Sequence, residues 1–233
     1  MATRRTLHKV AAHVLGRRRF EVSGRFGLRV SPGGFTTPAF GEGPEALRVA
    51  DGILVRDRGA STAALSVAGS TLRQLAEFAG TDVDRPFSTG EETPEPGDVD
   101  TPLYLDPPSA DIVAAWLATG ARVLDRTLAA LPDGAGAATV QLWPEHFDLG
   151  TNVVARAGGR VNLGASPGDD AIDEPYLYVG PWEPERPGDA AYWNAPFGAV
   201  LRRSGAGDGD DAVEAGVAFI RVGLDRLAGR PGA

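Results

Sequence analysis

Apolar residues recur at helical spacing in four stretches of the chain. Leu7, Val10, Ala11 and Val14 define one face of a helix over Thr6 to Arg18. Leu72, Leu75 and Phe78 do the same from Ser70 to Phe78, with Ser70 as the cap. The longest stripe is Val113, Trp116, Leu117, Leu124 and Leu128, introduced by Pro107-Pro108-Ser109 with Ser109 as cap and closed by Pro132-Asp133-Gly134. Val213, Val217, Ile220, Leu224 and Leu227 face inward on a last helix running from Asp211 to Leu227.

Strand signals fill the rest. Glu21 to Val30 has strand character and Phe35 to Phe40 returns, with Pro38 marking an edge position. Between them, Ser31-Pro32-Gly33-Gly34 places Pro and Gly where a type II turn wants them. Leu47 to Val49 and Ile53 to Val55 form a hairpin around Asp51-Gly52. Thr139 to Leu142, Val153-Val154, Arg160 to Ala165, Pro175 to Val179 and Tyr192 to Leu201 supply the later strands. Thr81 to Thr101 is rich in Pro, Asp, Glu, Gly and Thr and reads as a long exposed loop. The pattern predicts an α+β fold, antiparallel sheet flanked by helices, in a single domain over residues 1–233.

Arg25-Phe26-Gly27-Leu28-Arg29-Val30-Ser31-Pro32-Gly33 and Arg160-Val161-Asn162-Leu163-Gly164-Ala165-Ser166-Pro167-Gly168 share Arg, Leu and Ser-Pro-Gly in register. One reading is an internal duplication, with sheet-plus-helix halves at 1–80 and 102–233 around a pseudo-twofold, joined by the acidic, Pro-rich loop 81–101. The other is chance similarity between two Pro-Gly hairpins.

Composition narrows the function classes. The chain has 233 residues, 42% hydrophobic and 23% charged, which suits a packed core and excludes wholesale disorder. A net charge of −8 argues against a nucleic-acid binder. The local exception, Arg17-Arg18-Arg19, reads as cations complementing the end of the first helix. Without cysteine there is neither a disulfide framework nor a thiolate metal site. No apolar run approaches the roughly 18 residues of a membrane span. Leu7 to Leu15, interrupted by His8, Lys9 and His13, is a poor signal-peptide core, so a cytoplasmic location is expected. One lysine, many arginines and abundant Ala and Gly suggest a GC-rich bacterial genome.

Candidate chemistry concentrates in Trp143-Pro144-Glu145-His146-Phe147-Asp148 and the Ser166-Pro167-Gly168-Asp169 turn. Gly164-Ala165-Ser166-Pro167-Gly168 matches a nucleophile-elbow pattern, but Pro167 lacks the N–H an oxyanion hole needs, and no helix opening follows. In extended backbone His146 and Asp148 share a face, and a carboxylate beside an imidazole fixes its tautomer and raises its basicity. That pair is the candidate base or metal site, with Glu145 joining only through a kink at Pro144 and further acceptors at Asp169, Asp170, Asp173 and Glu174. No His-x-x-x-His or Glu-x-x-His spacing supports a metal, and His8 and His13 diverge on a regular helix, with His13 facing solvent. A lone His in an aromatic-rich strand is more often a structural, hydrogen-bonded residue. Tyr176 and Tyr178 share a strand face and, with Trp143, Trp193 and Asn194, either line a ligand pocket or fill a core.

Trp143-Pro144-Glu145-His146-Phe147-Asp148, Gly164 to Asp169, Glu174-Pro175-Tyr176-Leu177-Tyr178-Val179 and Tyr192 to Gly198, in that order, resemble segments of an uncharacterised actinobacterial family classed as a domain of unknown function. The resemblance covers Thr139 to Leu201, with a weaker echo in Leu28 to Phe40, and implies no activity or cofactor. Two functions follow from the residues: a small-molecule-binding or structural domain with no nucleic-acid or membrane partner, and a hydrolase-like enzyme using His146 and Asp148.

Overall fold

The computed structural model describes residues 1–155 and 159–229. Its first element is one continuous helix in three parts: α1 (Ala2–Val10), a π-helical stretch (Ala11–Gly16) and α2 (Arg17–Ser23). The helix outruns its apolar stripe at both ends and takes Glu21 and Val22 from the expected strand. Nothing before Gly24 breaks it. That glycine adopts the left-handed conformation (φ 68°) and donates its N–H to Phe20 O at 2.8 Å, which closes the last turn. Every residue from Val10 to Arg17 is buried, as befits a helix surrounded by its own unit.

Five strands follow as a meander in sequential order: β1 (Arg29–Ser31), β2 (Gly34–Thr36), β3 (Glu45–Ala50), β4 (Ile53–Arg58) and β5 (Ser61–Ser66). Pro32-Gly33 makes the β1–β2 turn, with Gly33 at φ 72° where a type II turn needs it. Asp51 (φ 51°) and Gly52 (φ 77°) make the β3–β4 turn, both left-handed as in type I′. Strand β5 carries no signal in the pattern: Ser, Thr and Ala lie exposed along nearly all of it, and it pairs with β4 without burying a face.

Helix α3 (Leu72–Ala79) begins one residue later than expected, because Thr71 forms a capping box with Gln74 at 3.1 and 2.9 Å. Ser70 instead donates its hydroxyl to Ser66 O at 2.6 Å. Helix α4 (Pro107–Ala129) likewise starts before Ser109, with Pro107 in its first position. The Asp106 carboxylate accepts from the Ser109 N–H (3.1 Å) and hydroxyl (2.6 Å).

The second antiparallel sheet contains β6 (Gln141–Trp143), β7 (Asp148–Val154), β8 (Arg160–Ser166), β9 (Tyr176–Pro181) and β10 (Ala199–Arg202), in the order β10-β9-β8-β7-β6. A short α5 (Arg203–Ala206) and the long α6 (Gly209–Leu227) follow. Here Ser166-Pro167-Gly168 opens a loop rather than a two-residue turn, with β9 starting only at Tyr176, so a duplication is not shown.

By proximity the chain forms two compact units, Met1–Ala118 with Gln141–Asp148, and Thr119–Val140 with the residues from Leu149 onward. In the second, Val153, Val161, Leu163, Leu177 and Val179 are buried on one sheet face with Val123 and Leu124 of α4 and Val213 and Ile220 of α6. Glycine sets how closely these helices approach. A Cβ on Gly120 would run into Ala165, and one on Gly216 would lie 2.5 Å from Leu177 Cδ1 and 2.8 Å from Val123 Cγ2. Among the described residues no helix is long and apolar enough to cross a membrane.

Candidate functional site

Residues 144–147 form a turn between β6 and β7, not an extended strand. The Phe147 N–H donates to Trp143 O at 2.7 Å, and Phe147 is left-handed at φ 54°. Strand alternation therefore does not govern His146 and Asp148. The turn is held through Phe147, which is 1% exposed, stacks on His8 (centroids 5.5 Å) and meets Phe35 edge-on at 5.5 Å. Pro144 packs on the first helix at Gly16, where a Cβ would lie 3.0 Å from Pro144 Cγ. Trp143 is half-buried with its ring 5.9 Å from that of Phe26.

With Phe147 anchored, the loop 81–101 lies over the turn. His146 Nδ1 sits 2.7 Å from Glu92 Oε2, and Nε2 makes no hydrogen bond among the described residues. The imidazole is about half-exposed. Burial lowers its pKa, but the Glu92 hydrogen bond and the charges of Asp148, Glu92 and Glu145 outweigh this and hold it above the usual histidine value. Glu145 is buried, packed near Gly90, and its Oε2 has no hydrogen-bond partner. Burial raises its carboxyl pKa; the His146 charge opposes that rise and Asp148 adds to it. One imidazole and three carboxyls thus share a small region, brought together by the turn and the loop over it rather than by strand alternation.

The first helix supports this region from below. His8 Nε2–H donates to Glu145 O at 3.0 Å, and burial drives the His8 pKa down to about 4 against the pull of that carbonyl. His13 is not solvent-facing: it is 3% exposed, donates Nε2–H to Pro94 O at 2.6 Å, and has its pKa lowered by burial. The expected divergence of His8 and His13 assumed a regular helix. The π stretch inserts an extra residue into the turn, which rotates position i+5 back toward position i.

The acidic loop is strapped down along its length. Lys9 Nζ donates to Pro96 O (3.0 Å), Thr81 donates to Glu21 (2.7 Å), and Arg73 binds Asp84 (2.5 Å) and Asp100 (2.7 Å). The Arg17-Arg18-Arg19 run lies within the helix rather than at its end. Arg17 is buried beside Glu21 and over Phe87, Arg18 binds Glu45 at 3.1 Å, and Arg19 bonds Gly27 O. Sequence reasoning missed Glu92, because nothing distinguishes it from Glu91 or Glu95 in a segment that reads as solvated linker.

The other candidates belong to the second unit. Asp169 Oδ1 accepts the N–H groups of Ala171 and Ile172 (both 2.7 Å), and Oδ2 accepts the Tyr176 hydroxyl at 2.5 Å. Ser166 is buried, its Oγ accepting from the Gly168 N–H at 3.1 Å, which makes it part of the turn. Glu174 accepts from the Ser204 N–H (3.0 Å) and from Arg202 (3.4 Å), and the Ser204 backbone bond leads in lowering its pKa. Tyr176 and Tyr178 do share a strand face, with centroids 6.3 Å apart. Trp193 donates to Pro187 O at 2.9 Å, and the Asn194 amide bonds both the N–H (2.8 Å) and the carbonyl (3.1 Å) of Val200 like an extra strand residue.

Among the described residues no three His, Asp or Glu side chains are placed to hold a metal ion. The chain matches no protein-family model, no curated protein and no solved structure.

Proposed function

We propose that the chain is a small-molecule-binding domain whose ligand is engaged at the Trp143–Asp148 turn by Glu145 and His146. The observation that carries this is the Glu145 carboxyl: it is buried beneath the loop 81–101, near Gly90, and its Oε2 has no hydrogen-bond partner among the described residues. An unsatisfied buried oxygen costs about 1–3 kcal/mol, which a ligand hydrogen bond would recover. Three carboxyl groups around one imidazole favour a small cationic ligand, an amine or guanidine. A thermal-unfolding screen of small amines and guanidines against isosteric acids tests this. At least one cation should raise the melting temperature of the wild type and fail to raise that of Glu145→Gln. No shift with any cation, or an equal shift in the variant, overturns the assignment.

A second reading rests on the Glu92–His146 pair. Glu92 holds Nδ1–H, leaving Nε2 bare on a half-exposed ring with an elevated pKa, the arrangement of a general base. In this reading Asp148 adds negative charge and Glu92 orients the ring. Hydrolysis of activated esters should then rise with pH through the His146 pKa and disappear in His146→Ala.

A further inference from the structure

The outer face of the second sheet carries side chains that the function above does not use. Asn152, Asn162 and Gly180 are direct cross-strand partners on β7, β8 and β9 and so share a face. Val154, Arg160 and Trp182 form the neighbouring row, Trp182 donating its backbone N–H to Arg160 O at 2.9 Å. On the other side lie Gly150, Gly164 and Tyr178. The opposite face of these strands is core; this one meets solvent at its Trp182 end, while at the Tyr176 end it carries a small buried cluster with Ile172 and Val200. Trp182 is 60% exposed and Phe197, edge-on to Tyr178, is 44% exposed.

The polar groups of this face are fixed in one sense. The Trp182 indole N–H donates to Asn162 Oδ1 at 2.8 Å, and the Arg160 guanidinium donates to Asn152 Oδ1 while lying 5.8 Å over the indole ring. Indole and guanidinium are pure donors, so each asparagine must present its oxygen to them. What remains for a ligand is the two Nδ2 amide groups and the rest of the guanidinium, all donors, one of them charged. The neighbouring carboxylate, Glu183, follows Trp182 across the pleat, its stem near Gly159. Between Trp182 and Tyr178, roughly 13 Å apart at about 3.3 Å per residue, Gly180 leaves a notch where any other residue would put a side chain.

We propose that this face binds an acidic saccharide, a short uronic-acid chain lying from Trp182 across the Gly180 notch toward Tyr178 and Phe197. The C–H face of a pyranose ring suits an exposed indole. Hydroxyl and carboxylate oxygens are the acceptors that two amides and a guanidinium demand, and the carboxylate complements Arg160. This inference stands on residues of the second unit and is independent of the Glu145–His146 site.

The test is titration of the full chain with oligogalacturonate and oligoglucuronate, with galacto- and cello-oligosaccharides as neutral counterparts, followed by calorimetry and tryptophan fluorescence. Saturable binding of a uronate is expected, at least about tenfold tighter than its neutral counterpart. Trp182→Ala should abolish it, and Arg160→Gln should bring the acidic-to-neutral ratio toward one. Gly180→Val should weaken binding with the fold intact, because a Cβ at Gly180 meets its neighbours at ordinary distances of 3.6 and 3.8 Å. No saturable binding, equal affinity for neutral chains, or unchanged binding in both Trp182→Ala and Gly180→Val overturns the proposal.

Discussion

His8 and Glu145 meet through one hydrogen bond, yet acid acts on them in opposite directions. His8 titrates near 4 in the folded chain against 6.5 in a free imidazole, so the unfolded chain takes up the proton first. Its contribution is complete above pH 6.5 and is lost as the pH falls toward 4, a loss on the order of 3 kcal/mol. His13 shifts in the same direction. Urea unfolding between pH 7 and 4 should show stability falling with acid, and His8→Gln should flatten that slope. Glu145 behaves in reverse. Its folded pKa lies above 4.5, so folding is favoured while the carboxyl is protonated, and that advantage fades as the pH rises through the folded value. Glu145→Gln, which removes the charge at similar shape, should gain stability relative to the wild type as the pH rises from 4 to 7 in ligand-free unfolding.

At the level of elements, the first helix determines where the candidate turn sits. Gly16→Ala would gain helix propensity of about 1 kcal/mol. The new Cβ, however, meets both Ala11 O and Pro144 Cγ at 3.0 Å, and neither belongs to a flexible side chain. A net loss of about 1–2 kcal/mol is expected from thermal unfolding, with a changed His146 ring environment visible by NMR. Thr71→Ala removes the capping box of α3 and should cost about 1 kcal/mol. Much of this architecture was readable in advance. The stripes of α4 and α6, the Asp51-Gly52 hairpin and strand β8 all declared themselves by period or turn chemistry. Strand β5 did not, because an edge strand that buries neither face has no alternation to detect. The π stretch did not, because one extra residue in a turn leaves no mark in an all-buried segment such as Val10 to Arg17. At the site, the pattern pointed to extended backbone through His146 and Asp148, and the turn over 144–147 left no mark in it. Glu92 left none either, since its meaning depends on a loop path that composition does not encode.

Across the whole chain, charge is arranged to hold pieces locally. Pairs such as Arg122–Asp210 and Arg126–Glu214 are exposed and add little to stability. Glu45 differs: it is 4% exposed and gripped by Arg18 at 3.1 Å and Arg56 at 3.3 Å. Burial alone would raise its pKa, but the two guanidinium groups win and lower it, so its contribution is present above 4.5 and lost as acid titrates the folded carboxylate. Glu45→Ala, which leaves both arginines without their shared partner, should cost roughly 3 kcal/mol by denaturant unfolding, whereas Glu214→Ala should leave the unfolding midpoint unchanged. The loop that covers the candidate site depends on a different kind of attachment. Its tie at Pro96 is made by Lys9, the one lysine in the sequence. An amine-selective label therefore has a single side-chain target, and that target is occupied whenever the loop is seated. The rate at which Lys9 reacts becomes a clock for loop release, read by mass spectrometry on the wild-type chain.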